Sequence, residues 1–539
     1  PAGGNVVSNT IVMHNDSNRI FYQADATFDE RFDYYVANLT TNISTEINPA
    51  LPAPKEVINM FGPKGIMGED HYLFSSWGHH GFGYQAQNHM YDLVNKIRVQ
   101  LVPNSKVANL SDFNASLKLP GRNQALIYNS SIPSLTPLWV INFDGTGFID
   151  LFNTTTYPLS YPKYNCIKVS SSGDYIAYAG NLNDYGDNDV YVAKTDGSAT
   201  NRITTGAINT GAYFNSTECQ TSFAIAPNDS KIVFRADYDS YAEYELYSAN
   251  LDGSGRTRIS QNMPSSSNKV NSIAGISADS SKVAYWANPT NSNSYLYITG
   301  VTGGAISQIT TEPYVSTSNG VYFTNDNQRI IYVTTDSSQP VLQSNNLTGT
   351  DPINLSLPLS SGSINFNYKS DFNWVFYIAK EAPATDLALY AIRPDGTQKV
   401  KLSNGNDING SILNLRLNSS GAKLLLLIKD GPENKDINLY EVDIATGARV
   451  QIKVDGLNVN EAYVDSCNYI AGDDSKIIYR LVDASNALEK RFAIVYHNKT
   501  LNRQAVIYRS SNNIYVDDAS KHGFIARENE KIQVIPYPF

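Results

Sequence analysis

The sequence predicts an all-β propeller of about ten to eleven four-stranded blades, and three observations carry that prediction. A β-branched and aromatic marker strand recurs along the whole chain at intervals of roughly 44 to 57 residues. Ten to twenty residues beyond it, an alternating strand often runs into a tight Asp-Gly turn, the strongest short hairpin signal. No segment sustains a 3.6-residue apolar period with caps, so helix content should be very low.

The marker strand begins with Arg19-Ile20-Phe21-Tyr22 and His71-Tyr72-Leu73-Phe74 and continues with Ala125-Leu126-Ile127-Tyr128. It recurs in copies such as Tyr175-Ile176-Ala177-Tyr178, Lys231-Ile232-Val233-Phe234, Lys282-Val283-Ala284-Tyr285 and Trp374-Val375-Phe376-Tyr377. A weaker copy, Gly523-Phe524-Ile525-Ala526, ends the series. The second marker is Leu138-Trp139-Val140-Ile141 into Asp144-Gly145, with equivalents ending at Asp196-Gly197, Asp252-Gly253 and Asp395-Gly396. A short polar strand follows each turn, as in Arg202-Ile203-Thr204 and Arg258-Ile259-Ser260. Four short antiparallel strands cannot bury both faces alone, so copies must stack face to face. The last repeat supplies three strands, and the stretch from Asn5 to Val12 is expected to provide the fourth. The whole of 1–539 reads as one repeat array. The even spacing without a linker fits one large ring, whereas rings usually hold four to eight blades, which fits two tandem rings with a boundary between residues 205 and 360.

The repeat Ala226-Pro227-Asn228-Asp229-Ser230-Lys231-Ile232-Val233-Phe234, followed by Glu245-Leu246-Tyr247 and Asp252-Gly253-Ser254, resembles the TolB-type, WD40-like β-propeller repeat. The resemblance covers residues 120 to 480 well and the two ends loosely, and the first two repeats lack the Asp-Gly turn. It implies a fold. It leaves function open, since this repeat serves periplasmic scaffolds, peptidase gating domains and polysaccharide-degrading enzymes.

Composition narrows the partners. The net charge of −10 and a pI near 5.3 argue against nucleic acid and anionic membranes, which need clustered Lys and Arg. No run of about eighteen apolar residues marks a transmembrane segment. The 36 Tyr and an 11% aromatic share favour strands. The start at Pro1-Ala2-Gly3-Gly4, without an initiator Met, is read as a processed or trimmed form compatible with export.

Three cysteines exclude a disulfide-dense scaffold and a paired-spacing zinc site, and leave one thiol unpaired. Cys166 and Cys219 belong to neighbouring repeats and could face each other, or could remain buried free thiols. Sequons are frequent, with Asn38, Asn129, Asn215 and Asn346 as candidate glycosylation sites.

Two clusters carry potential chemistry. His71, His79, His80 and His89 gather four of the seven histidines on one expected hairpin and could hold a divalent metal. Against this, consecutive His79 and His80 on a strand would point to opposite faces. Asp184, Asp187 and Asp189 resemble a calcium loop but lack the closing Glu, and the next repeat carries a comparable loop at 237–243, so a solvated loop explains them as well. No Gly-x-Ser-x-Gly elbow or phosphate-binding loop is present. The sequence therefore points to a non-catalytic extracytoplasmic module, secreted, cell-surface or periplasmic, that binds protein or glycan or self-assembles as a scaffold, surface layer or filament, with no cofactor required. The alternative is a metal-assisted polysaccharide lyase or hydrolase using the four histidines.

Overall fold

The structure is a computed structural model. It describes residues 12–13, 19–24, 33–38, 43–47, 65–66, 71–79, 84–92, 94–101, 115–128, 138–151, 161–181, 188–207, 221–239, 243–263, 268–289, 293–312, 320–336, 339–383, 387–403, 416–429, 437–452, 462–470, 473–483, 491–501, 503–510, 514–519, 523–528 and 531–536. Among them the chain forms eleven antiparallel sheets in sequence order, ten of four strands and a last one of three. These are the blades, numbered 1 to 11. Blade 1 covers 12–46, blade 2 65–100, blade 3 115–150, blade 4 161–202, blade 5 223–258 and blade 6 270–308. Blades 7 to 11 cover 322–354, 365–401, 416–451, 462–510 and 514–536. The described helical structure includes the 3₁₀ turn Ser370–Phe372.

The marker strand is the second strand of every blade. In blades 4, 5, 6 and 8 its aromatic residue pairs with an aromatic on the third strand: Tyr178 with Tyr191, Phe234 with Tyr247, Tyr285 with Tyr297 and Tyr377 with Tyr390. The rings stack with centroids 5.0 to 6.0 Å apart, a contact worth about 0.5–1.5 kcal/mol beyond burial. Phe234 and Tyr247 pack toward blade 4, whereas the alternate residues Val233 and Leu246 pack toward blade 6. Strands buried on both faces explain why Ile232–Ala236 and Glu245–Ala249 are buried at every position.

Apolar clusters join blade 2 to 3, 3 to 4, 4 to 5, 5 to 6 and 6 to 7. One larger cluster spans blades 7, 8 and 9, and another joins 9 to 10. Within 205–360, where a boundary between two rings would fall, each junction carries such a cluster. The N-terminal expectation is corrected in part. Val12 lies on the first strand of blade 1, opposite Phe21, and is not a fourth strand for blade 11; residues 5–11 lie outside the described residues.

The blades have two unlike ends. The connections between strands one and two and between three and four lie at one end, and those between strands two and three and from blade to blade, most of them longer, lie at the other; in blades 7 and 11 strands two and three are joined by only two residues. At the turn end the glycine of the three–four turn approaches the outermost strand of the preceding blade. A Cβ on Gly197 would lie 2.6 Å from Ile149, on Gly396 2.6 Å from Ile353 and on Gly447 2.9 Å from Val400. These glycines have φ between +70° and +80°, so both backbone and neighbour require Gly. At the far end of the fourth strand, a hydroxyl takes the place of further pairing. Thr204, Ser260, Thr310, Ser356 and Ser403 each accept the N–H of a third-strand residue fourteen positions earlier, at 2.8 to 3.1 Å.

Candidate functional site

The loop end of blades 4 and 5 concentrates the buried charge. Asp189, on the third strand of blade 4, is 6% exposed; it pairs with Arg202 at 2.7 Å and accepts the Thr204 hydroxyl at 2.6 Å. Glu245 occupies the matching place in blade 5, accepting Arg258 at 3.0 Å and the Tyr247 hydroxyl at 2.6 Å. Burial first, and then the neighbouring Glu245, push the Tyr247 phenol well above its ordinary value. Arg256 lies over the Tyr238 ring at 3.7 Å and donates to the Thr205 carbonyl of blade 4, closing the junction. Blade 8 repeats the arrangement with different residues. Glu381 accepts Lys399 at 2.7 and 2.9 Å, the Tyr377 hydroxyl at 2.7 Å and the backbone N–H of Leu357 from the preceding connection.

These carboxylates are saturated by internal cations, hydroxyls and N–H groups. A general base or nucleophile needs an accessible oxygen near a reacting atom. Theirs are committed to holding the bases of the loops, as buried charges must be when paired. Sequence reasoning missed Glu245 and Glu381. A spacing signal existed for the first: the acid precedes its cation by thirteen residues in both Asp189–Arg202 and Glu245–Arg258, and its hydroxyl-bearing Thr or Ser by fifteen. Lys399, by contrast, reaches Glu381 from the start of the fourth strand, along the Tyr390 ring, and no repeat spacing announces it.

The sequence-predicted sites fare unequally. His71 and His89 lie on neighbouring strands of blade 2, His71 opposite Asp92 and His89 opposite Phe74. A three-residue offset puts them on opposite faces of the sheet. His71 packs on Phe143 of blade 3 at 5.0 Å, and His89 is buried. His79 stands eight residues from His71 on the same strand, about 26 Å away in extended chain. His80 lies outside the described residues. No three metal-ligating side chains converge among the described residues. Of the calcium-like loop, Asp189 is held by Arg202 and Thr204, and Asp184 and Asp187 lie outside the described residues. Of the sequons, Asn129 and Asn215 lie outside, and Asn38 ends the third strand of blade 1. Asn346 sits at a three–four turn, where its amide donates to Thr350 and accepts from Thr348, both at 3.0 Å. Asn142 and Asn250 donate the same way to Thr146 and Ser254, so the turn itself calls for Asn. Cys166 is disulfide-bonded and Cys467 is free. The third cysteine is Cys219, outside the described residues, so a bond within the chain has Cys219 as its other half.

No family model and no curated protein matches the chain. Among solved structures it is similar to the tricorn protease, at 10% identity over 98% of this chain with a TM-score of 0.27, and it spans 56% of that protein's length. It is similar to TolB from Acinetobacter baumannii at 14% identity, covering 63% of this chain and 81% of TolB with a TM-score of 0.28. It is also similar to the β-propeller domain of the Trilobed protease from Pyrococcus furiosus at 11% identity, covering 65% of this chain and 97% of that domain, with a TM-score of 0.30. On its own eleven sheets and the register of its marker strands, the chain is an all-β protein of the β-propeller type.

Proposed function

We propose that the chain is a non-catalytic extracytoplasmic module that presents the loop end of one continuous blade array to a protein or glycan partner, or to further copies of itself in a surface layer or filament. The observation that carries this reading is the commitment of the buried loop-end carboxylates: Asp189, Glu245 and Glu381 each end in an ion pair within their own blade. Such anchors fix the strand ends from which binding loops spring, and rigid scaffolds with variable loops are the common design of binding modules. Export is supported by the disulfide at Cys166, a bond that persists in oxidising compartments. Among the described residues no helix is long and apolar enough to cross a membrane. The uninterrupted packing from blade 2 to blade 10 favours one array over two.

Two measurements test the reading together. Protease treatment of intact source cells should degrade the chain while cytoplasmic markers survive, and the purified chain with Mn²⁺, Ca²⁺ or Zn²⁺ should leave acidic oligosaccharides intact. A chain protected inside intact cells contradicts the location. Metal-dependent cleavage abolished by His89→Ala restores the lyase or hydrolase alternative.

A further inference from the structure

At the turn end, side chains of some one–two turns reach back to the preceding blade. Asp229 accepts the N–H groups of Ser171 and Ser172 at 2.9 and 2.8 Å, clamping blade 5 to blade 4. Asp474 does the same to Ser419, clamping blade 10 to blade 9, and Ser280 accepts the N–H of Asn228, clamping blade 6 to blade 5. Blade 9 has Gly421 at this position, two residues before its marker Lys423, as Asp229 and Asp474 stand two before Lys231 and Lys476. Its φ is +66° and its α-carbon faces the Phe372 ring of blade 8. Among the described residues no hydrogen bond joins these two turns, and a cleft of about 370 Å³ opens between them.

The walls of this cleft are specific. Phe372 supplies aromatic surface, and the Arg393 guanidinium lies 3.8 Å over the ring of the buried Trp374. Arg393 is fixed by the Phe372 and Asn373 carbonyls at 2.7 and 2.9 Å and by Gln398 at 3.1 Å. Those bonds use Nε and Nη1, leaving the Nη2 donors. Ser420 Oγ accepts from the Asn418 amide and the Ala422 N–H, so its own proton is left to donate. Asp443 accepts the Thr446 hydroxyl and N–H on Oδ1, and these bonds together with the Ala445 N–H hold its carboxyl below the usual range. Asp371 adds a second carboxylate to the lining.

We infer that the cleft between blades 8 and 9 is a binding site for a neutral sugar. Fixed donors and acceptors interleaved beside aromatic surface match vicinal hydroxyls and the C–H face of a pyranose. Two carboxylates beside one Arg disfavour an anion, and two carboxylates fall short of the six to eight oxygens a calcium ion takes. The volume lies at the small end of ligand sites, about 300–1,000 Å³. The inference rests on the reading of the chain as a binding module, but it places the ligand at the end opposite the loops.

Saturation-transfer NMR and calorimetric titration with cellobiose, maltose and lactose test it. At least one disaccharide should bind with a dissociation constant of about 1 mM or below, and Asp371→Asn and Asp443→Asn should each weaken it about tenfold, the loss of one hydrogen bond to a charged group. Among the described residues nothing bonds the Asp371 carboxylate, so its variant keeps the fold even if Asp443→Asn does not. No binding of any probe at about 10 mM, or binding unchanged by Asp371→Asn, overturns the inference. Binding that persists in both variants leaves the module reading standing and moves the ligand elsewhere. Sugar binding that both variants weaken, in a chain that cell-surface proteolysis finds protected, overturns the location and not the site.

Discussion

The two ends of the blades solve opposite problems with different chemistry. The turn end is short, repetitive and closed: glycines in the left-handed region lie against the neighbouring blade, and Asp, Ser or Thr side chains cap their own turns. The loop end carries most of the longer connections, and its anchors are buried carboxylates paired with partly exposed cations, Asp189–Arg202, Glu245–Arg258 and Glu381–Lys399. Invariance at one end frees the other to vary. A fold that joins its copies through backbone shape can change loop sequence without losing register.

The largest expected effects lie in the shared core between the ends. Tyr285→Ala removes a fully buried ring, its stack on Tyr297 and its bond to Gln261; chemical denaturation should show a loss of about 3–5 kcal/mol. A smaller loss separates the ends from each other. Gly349→Ala places a Cβ on the Gln308 carbonyl of blade 6 at φ +78° and should cost about 3 kcal/mol. Gly206→Ala, at the loop end with φ +81° and open space around it, should cost only the left-handed penalty of about 1–2 kcal/mol. Equal losses for the two would break the comparison. Asp229→Ala, which removes one blade-to-blade clamp at an exposed site, should cost about 1 kcal/mol.

Acid should act first on the turn end. Hydroxyls of Thr146, Ser198, Ser277, Thr397 and Thr446 hold Asp144, Asp196, Asp279, Asp395 and Asp443 below the usual carboxylate range. A lowered folded value means that the stabilisation is present above the unfolded value, near pH 4, and is lost as pH falls through the folded values. Hydrogen exchange at falling pH should therefore accelerate in the Asp-Gly turns before the loop-end strand termini; the reverse order would place the acid-sensitive bonds at the other end.

The cysteines give the finest test. Burial pushes the Cys467 thiol up to about 12, so it should resist alkylation at pH 8 in the folded chain. Unfolded without reductant, the chain should titrate one thiol, and after reduction three. Three thiols before reduction would remove the disulfide and with it the support for an oxidising compartment.

The fold was readable from sequence because it depends on period and turn chemistry. The marker strands and the Asp-Gly turns fall where the residues put them, as do the three strands of blade 11. The junctions were less readable. Stacking such as that of Tyr377 on Tyr390 is local to a blade, but the reason Gly197 or Gly396 is glycine lies on another blade, at Ile149 or Ile353. The histidines were hard to read for a related reason: strand alternation sends His71 and His89 to opposite faces of blade 2. The cleft at blades 8 and 9 is built from turns spread over residues 371–445, and Gly421 does not mark it in sequence, since blade 4 carries Gly173 at the same place.

The most direct test of the account is co-sedimentation of the purified chain with isolated cell envelopes, comparing loop-end and turn-end changes. Replacing residues 182–187 or 430–436 with Asn-Gly should abolish saturable binding while the melting temperature stays put, and Asp229→Ala should lower the melting temperature while binding stays. Binding untouched by both loop replacements, in chains that remain folded, would contradict a loop-end binding module.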